Sequence, residues 1–341
     1  MPTAAERALR VFTTCPPSGM QEQSSCMPHL QEVARWSEEA GCEGMLVFSD
    51  NRQLDPWLVS QAIIACTTKL CPLVAIQPAY LHPYAVAKMI ASLSFMYGRR
   101  VHLNMVAGGF RNDLEALNDN TPHDERYARL VEYTRIIQGL LYSDAPLSFE
   151  GRYYKVNNLK LTPALPRELL PGILVSGSSE AGMAAAQELG ATAIEYPKPV
   201  SEYGAVPPAD GYLKGIRIGI IARAEEAEAW AVARARFPED RRGQVTRELA
   251  NKVSDSHWHH QLTEQAAAPI ADSAYWLVPF QNYKAMCPYL VGSYERVAAE
   301  VGRYVDSGYT TFILEEPVDA AEMRHIGMVF ERATRHAAVA A

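Results

Sequence analysis

The feature that most constrains this chain is an alternation that runs almost from end to end. Short apolar stretches, rich in β-branched residues, give way to longer amphipathic ones. Strands are expected at 9–14, 44–49, 71–77, 100–106, 172–176, 191–195, 216–222 and 309–314. Helices are expected at 28–40, 56–69, 83–96, 122–142, 179–189, 223–236, 293–307 and 319–336, with a loop over 143–171. Gly44-Met-Leu-Val-Phe-Ser49 is a continuous apolar run, as a strand buried on both faces requires. The first helix places Pro28 in its opening turn, aligns Leu30, Val33, Ala34 and Trp36 along one side, and ends at Gly41. Repeated strand–helix units make a parallel sheet with right-handed crossovers. Eight strands point to a closed α/β barrel, the (β/α)8 TIM barrel, rather than to an open sheet. Such a barrel takes ~250 residues and grows by insertion. The 341 residues are therefore read as one barrel domain spanning 1–341.

Two stretches break the rhythm. Residues 197–215 are dense in Pro and Gly, so a loop is expected in place of a regular sixth helix. Residues 238–292 form a long insertion before the last strand–helix unit, polar at first and aromatic later. Long excursions at the catalytic end of a barrel commonly cover the site, and a lid is expected there. The aromatic residues Tyr275, Trp276, Phe280, Tyr283 and Tyr289 could line an apolar substrate pocket, or equally form a satellite core or a subunit contact.

Composition narrows the function. The net charge is −7 and no basic run stands out, which argues against nucleic acid as a partner. No apolar stretch approaches the ~20 residues of a membrane span, and the first residues lack the apolar core of a signal peptide. Six cysteines at irregular spacing, with no CxxC pair, read as reduced thiols and a cytoplasmic location. His257-Trp-His259-His260 has no spaced carboxylate or cysteine beside it, so no metal site is expected.

Ligands of a barrel bind at the C-terminal ends of its strands. That rule selects Thr14 and Cys15, Ser49 to Gln53, Gln77, Asn104 to Gly109, Ser176 to Ser179, Glu195 and Tyr196, Gly219 to Ala222, and Glu315 with Glu316. Of the last two, strand alternation would turn at most one inward. Cys15 reads as a buried, inert thiol more readily than as a reactive one. Three motifs stand out. Asn104-Met-Val-Ala-Gly-Gly109 ends the fourth strand, and its paired glycines permit either a tight turn or close approach to a flat ring. His123-Asp-Glu-Arg-Tyr127 opens a helix behind Thr121-Pro122, read as N-cap and first position. His123 and Tyr127 share one face of it, for packing or for a ligand. Gly177-Ser178-Ser179 joins a strand to a helix N-terminus. Two hydroxyls and several free N–H groups there make either a plain cap or an anion cradle suited to a phosphate.

This ordered trio resembles the luciferase-like flavin monooxygenases, and within them the alkanesulfonate monooxygenase branch. Asp55-x-Trp57, Pro83-x-x-x-Ala-Lys88, Glu150-Gly-Arg-Tyr-Tyr154 and Glu228-Ala-Trp230 extend the likeness over most of the chain. The resemblance implies a bacterial-luciferase-like barrel binding FMN as FMNH2, with O2 as co-substrate. Asn104, Val106 and Ala107 would meet the isoalloxazine ring, and His123 would approach it. Tyr127, Gly177, Ser178 and Ser179 would hold the phosphate side. Arg217 and Lys284, with His123, are the catalytic candidates. A C4a-(hydro)peroxyflavin would then oxygenate a small organic substrate. No GxGxxG nicotinamide fingerprint occurs, so the reduced flavin is expected from a separate NAD(P)H:flavin reductase. A homodimer or homotetramer is implied by the family.

Some positions depart from the branch. Its reactive cysteine is replaced in Gln53-Leu-Asp55-Pro-Trp57, and its Arg-x-His pair becomes Arg217-Ile-Gly219. Its late tyrosine aligns with Pro317, and its mobile-loop arginine falls near Tyr283-Lys284. A simple alkanesulfonate is therefore not the expected substrate. A deazaflavin (F420) oxidoreductase and a non-catalytic flavin binder remain alternatives of the same fold.

Overall fold

The structure, a computed structural model, describes residues 9–108, 111–203, 213–252, 257–267 and 272–340. The first half runs β1 (Arg10–Thr14), α1 (Gln23–Glu39), β2 (Gly44–Val47), α2 (Pro56–Cys66), β3 (Cys71–Ile76), α3 (Pro83–Tyr97), β4 (His102–Val106), α4 (Arg111–Ala116) and α5 (His123–Leu141). A hairpin of β5 (Leu147–Glu150) and β6 (Lys155–Leu159) leads to β7 (Ile173–Ser176), α6 (Glu180–Glu188) and β8 (Thr192–Glu195). Next come β9 (Lys214–Arg223), α7 (Glu226–Arg236), α8 (Arg241–Lys252), α9 (His257–Ala267), β10 (Tyr275–Trp276), α10 (Val278–Gln281) and β11 (Tyr289–Ser293). The chain closes with α11 (Tyr294–Asp306), β12 (Tyr309–Leu314) and α12 (Ala320–Ala340).

The eight expected strands close a parallel ring in the order β1-β2-β3-β4-β7-β8-β9-β12, with β12 returning to β1. Its interior is packed. Phe12, Leu46, Leu73, Leu174, Ile194 and Ile313 form one buried cluster inside the strands, so the barrel is plugged rather than open. Each such side chain contributes roughly 1.5–3 kcal/mol by leaving water. Larger apolar clusters fill the layer between strands and helices.

Below the plug, the starts of the strands carry a polar group paired across several chain segments. Arg10 donates twice to Glu43, at 2.8 and 2.7 Å. His102 Nδ1 accepts from the Gly172 amide at 3.0 Å, so the ring proton sits on Nε2, 3.1 Å from Glu43 though off the line of a hydrogen bond. Burial raises the Glu43 carboxyl, but Arg10 and His102 outweigh it and bring it down to about 2.

The structure corrects several expectations. α1 begins at Gln23, because the Ser25 and Cys26 amides already bond to the Glu22 carbonyl, and Pro28 lies inside the helix. Pro122 itself is the cap of α5 and the Thr121 hydroxyl turns to Asp119, so no Thr121 side chain caps the helix. The 143–171 connection holds the β5–β6 hairpin, and α4 was not foreseen. The loop expected over 197–215 shows a short turn at Val200–Glu202, and its 204–212 portion lies outside the described residues. The insertion is not merely loop. β11 pairs in parallel with the upper half of a ten-residue β9, and β10 pairs antiparallel with β11. Among the described residues, no helix is long and apolar enough to cross a membrane.

Candidate active site

Above the plug the barrel opens into a cavity of about 850 Å3, near the upper end of the ~300–1,000 Å3 of ligand pockets. All ten cofactor-binding and catalytic candidates line it: Asn104, Val106, Ala107, His123, Tyr127, Gly177, Ser178, Ser179, Arg217 and Lys284. Gly109 lies outside the described residues.

One wall is built by strand ends. Asn104 is fixed on β4 by Ser176, whose hydroxyl donates to its Oδ1 at 2.8 Å. Gly108 has a φ of 117°, and a Cβ there would meet Leu114 at 2.8 Å, so the turn after Ala107 is a glycine turn. β7 then delivers Gly177-Ser178-Ser179 to α6. Ser179 is the N-cap, accepting from the Gly182 amide at 3.2 Å. The Ser178 hydroxyl is buried and has no hydrogen-bond partner among the described residues. A Cβ at Gly177 would lie 2.2 Å from the Tyr127 hydroxyl, so only glycine lets the phenol close the cradle. Burial pushes the Tyr127 phenol up, a hydrogen bond with Ser179 opposing it. His123 packs edge-on against Tyr127, with ring centroids 5.3 Å apart, and holds Asp124 at 2.7 Å.

A buried polar cluster forms the floor. Arg217 donates to Glu315 at 3.1 Å and lies 3.4 Å from the Tyr196 hydroxyl. Burial works against its charge, but Glu315 and Tyr196 hold it firmly protonated. Its charge is thus answered within the protein. The Cys287 thiol donates to the same carboxylate at 3.2 Å. Both Glu315 and Glu316 line the cavity, contrary to the alternation argument, because β12 already ends at Leu314. Burial raises the Glu316 carboxyl, opposed by its pair with His29 at 2.8 Å. Cys15 is buried and pushed up to about 12, an unreactive thiol.

The insertion supplies the facing wall. Asp240, Arg242, Gly243 and Thr246 border the cavity, with Asn282 to Met286 beside them. Lys284 reaches it from a half-exposed position, 3.1 Å from Asp240. Of the aromatic set, only Tyr283 lines the cavity. Trp276 packs on Trp230 and Phe237, Tyr289 on Phe237, and Phe280 is fully buried, so these form satellite core. The Tyr289 ring also fills the space over Gly219, where a Cβ would come within 2.4 Å. Gly219 to Ala222 therefore lie within an extended β9, not at a strand end. Glu195 is likewise turned away, taking the Tyr309 hydroxyl. Sequence reasoning missed Arg126, although its spacing from His123 puts it on the same helix face. It also missed the α8 residues, which no local motif marks. His257 and His259 have no described side chains, and no metal-ligand cluster occurs among the described residues.

The donor set fits a flat, phosphate-bearing ligand. An orphaned buried hydroxyl, a helix N-terminus and a cradle that a Cβ would fill stand at one end of a cavity wide enough for a ring system. Comparison with known proteins agrees. The sequence model of the luciferase-like monooxygenases matches residues 9–311. A curated relative, BtrO of Niallia circulans, is 34% identical over 311 residues, covering 89% of this chain and 91% of its own. It is named a monooxygenase of 4-(gamma-L-glutamylamino)butanoyl-BtrI acyl-carrier protein. Riboflavin lyase RcaE, solved with modified FMN and riboflavin, superposes with a TM-score of 0.74 at 18% identity, over 96% of this chain and 92% of that one. EDTA monooxygenase EmoA from Chelativorans sp. BNC1 gives 0.69 at 14% identity, over 98% and 94%. The chain belongs to the luciferase-like monooxygenase family, flavin-dependent oxidoreductases that act with O2.

Proposed function

We propose that the protein is a two-component monooxygenase that receives FMNH2 from a separate NAD(P)H:flavin reductase. The observation that carries this reading is the Ser178 hydroxyl, buried and unpartnered at the α6 N-terminus inside the cavity. A buried donor without an acceptor is costly, and a phosphate oxygen would complete it. Ser178, Ser179 and Tyr127 bind the phosphate. Asn104 and the Val106-Ala107 backbone orient the ring, and His123 borders it. Reduced FMN, when bound, supplies two electrons to O2, so that one oxygen atom enters the substrate and the other leaves as water. Arg217, locked to Glu315, presents fixed donors to charge developing at the floor, and it positions the Tyr196 hydroxyl. The insertion excludes water when ligands are in place, with Lys284 at its rim. The protein acts in the cytoplasm as a homodimer or homotetramer.

The substrate is an elongated acyl compound rather than a short alkanesulfonate. Gln53 serves structure, accepting from Ser18 at 3.0 Å, and Tyr289 occupies the space above Gly219. The acyl substrate in the name of BtrO favours the same class.

An anaerobic titration with FMNH2 tests the cofactor. A stoichiometric complex is expected, weakened in Ser178→Ala, whose bound flavin reoxidises far more slowly in O2 than free flavin does. Binding of F420 with none of FMNH2 would replace this reading by a deazaflavin enzyme. Binding without any change in reoxidation, with acyl substrates present or absent, would make the protein a flavin carrier.

A further inference from the structure

Arg247 sits in the middle of α8 with only 4% of its surface exposed. None of its three guanidinium nitrogens has a hydrogen-bond partner among the described residues. Its guanidinium carbon lies 3.6 Å from the centre of the Phe280 ring, so one flat face is covered and the N–H edge is left unmet. Arg217 and Arg223 are also buried, yet each meets a carboxylate, Glu315 or Glu322. Burial lowers Arg247 to about 10, with Tyr283 and Tyr196 opposing, so the group is charged at neutral pH. A buried, unpaired charge is among the costliest features a fold can hold.

Its position relates it to the cavity. Gly243 and Thr246 line the cavity, and Arg247 lies four residues after Gly243, on the same face of α8. Tyr196 and Tyr283, the two groups that act on its charge, line the cavity as well. Tyr283 has a φ of 56°, left-handed backbone that a bulky residue rarely adopts and that gathers at ligand clamps.

We infer that Arg247 is a substrate-binding residue whose guanidinium takes a carboxylate of the substrate, from just behind the cavity lining that Gly243 and Thr246 of α8 provide. The planar fork of arginine matches a carboxylate through two parallel hydrogen bonds. A flavin phosphate has its own cradle at α6, so the two anion sites serve different molecules. The inference rests on the proposed reaction only for the identity of the substrate; carboxylate binding stands apart from it.

The test uses the full chain, with and without FMN, and titrates glutarate by calorimetry against uncharged glutaramide and inorganic phosphate. Glutarate is expected to bind and glutaramide not. Arg247→Met should weaken glutarate at least about tenfold, as loss of a charged hydrogen-bond donor does, and Arg247→Lys should fall between. FMN affinity should be unchanged in both variants, and the Tm of Arg247→Met unchanged or raised, since a lone buried charge has gone. Three results would each overturn the inference: no glutarate binding to the unaltered protein, equal binding to Arg247→Met, or a loss of FMN affinity in that variant. A sharp fall in Tm would mark Arg247 as structural; should Arg247→Met not fold, Arg247→Lys alone decides, by whether glutarate weakens while FMN does not. Failure of FMN to bind, with glutarate binding intact, would break the flavin reading and leave this one standing.

Discussion

At the starts of the barrel strands, Arg10, Glu43, His102 and the Gly172 amide answer one another across four chain segments. Beyond the strand ends, Ser178 on the β7–α6 turn and Arg247 on α8 hold buried donors with no hydrogen-bond partner among the described residues. Most polar groups at the first mouth are thus paired, the His102 Nε2 proton excepted, whereas the second mouth keeps the Ser178 donor open beside its cavity. The first end serves stability, and ligands of a barrel bind at the second, so strand direction divides the molecule.

Exchanging the character of the two ends should exchange the effects. The largest change is expected from Gly177→Ala, which drives a methyl into the Tyr127 hydroxyl. Overpacking of this kind costs about 2 kcal/mol, or roughly 30-fold in affinity. A flavin titration should show that loss, partly recovered in Gly177→Ala/Tyr127→Phe; unchanged binding would break the division. Glu43→Gln should act oppositely, lowering the urea midpoint at pH 7 while leaving FMN affinity alone. The sign with pH follows from a folded-state value near 2 against an ordinary 4.5. Stability from Glu43 is complete above 4.5 and is lost as pH falls from there toward about 2, so the variant should flatten the acid limb of a urea–pH series. Ser178→Ala is smaller: about tenfold weaker FMN binding with no loss of Tm, since its hydroxyl has no partner to lose. Smallest is Lys284→Met. Lys284 is half-exposed and paired to Asp240, so Tm should not move and only the substrate KM should rise a few-fold.

The legible parts of the molecule are the local ones. Apolar runs such as Met45 to Val47 mark strands because both faces are buried, and the glycine and serine turns mark strand ends because the backbone itself does the binding. The cavity wall at β4, α5 and β7 was therefore readable residue by residue. The α8 wall was not. Arg247 is an arginine in a polar helix, and its burial, with the Phe280 ring over one face, comes from tertiary packing. Pro28 misled because the α1 start depends on the Glu22 carbonyl rather than on proline preference. Glu315 and Glu316 misled because alternation stops where the strand does. The parallel pairing of β11 with β9 joins residues far apart in sequence, which no local pattern encodes.

That pairing has a mechanical consequence. The five residues of β11 share their hydrogen bonds with the upper half of β9, whose lower half closes the barrel against β8 and β12. In native-state hydrogen exchange, the Tyr289–Ser293 amides should therefore report the opening of the barrel itself, while α8 can exchange through its own smaller excursions. The helices α8 and α9 of the insertion take no part in the sheet, so they can part from the barrel without unfolding it. Arg247 belongs to α8, whereas the Gly177–Ser179 turn belongs to the part that stays put.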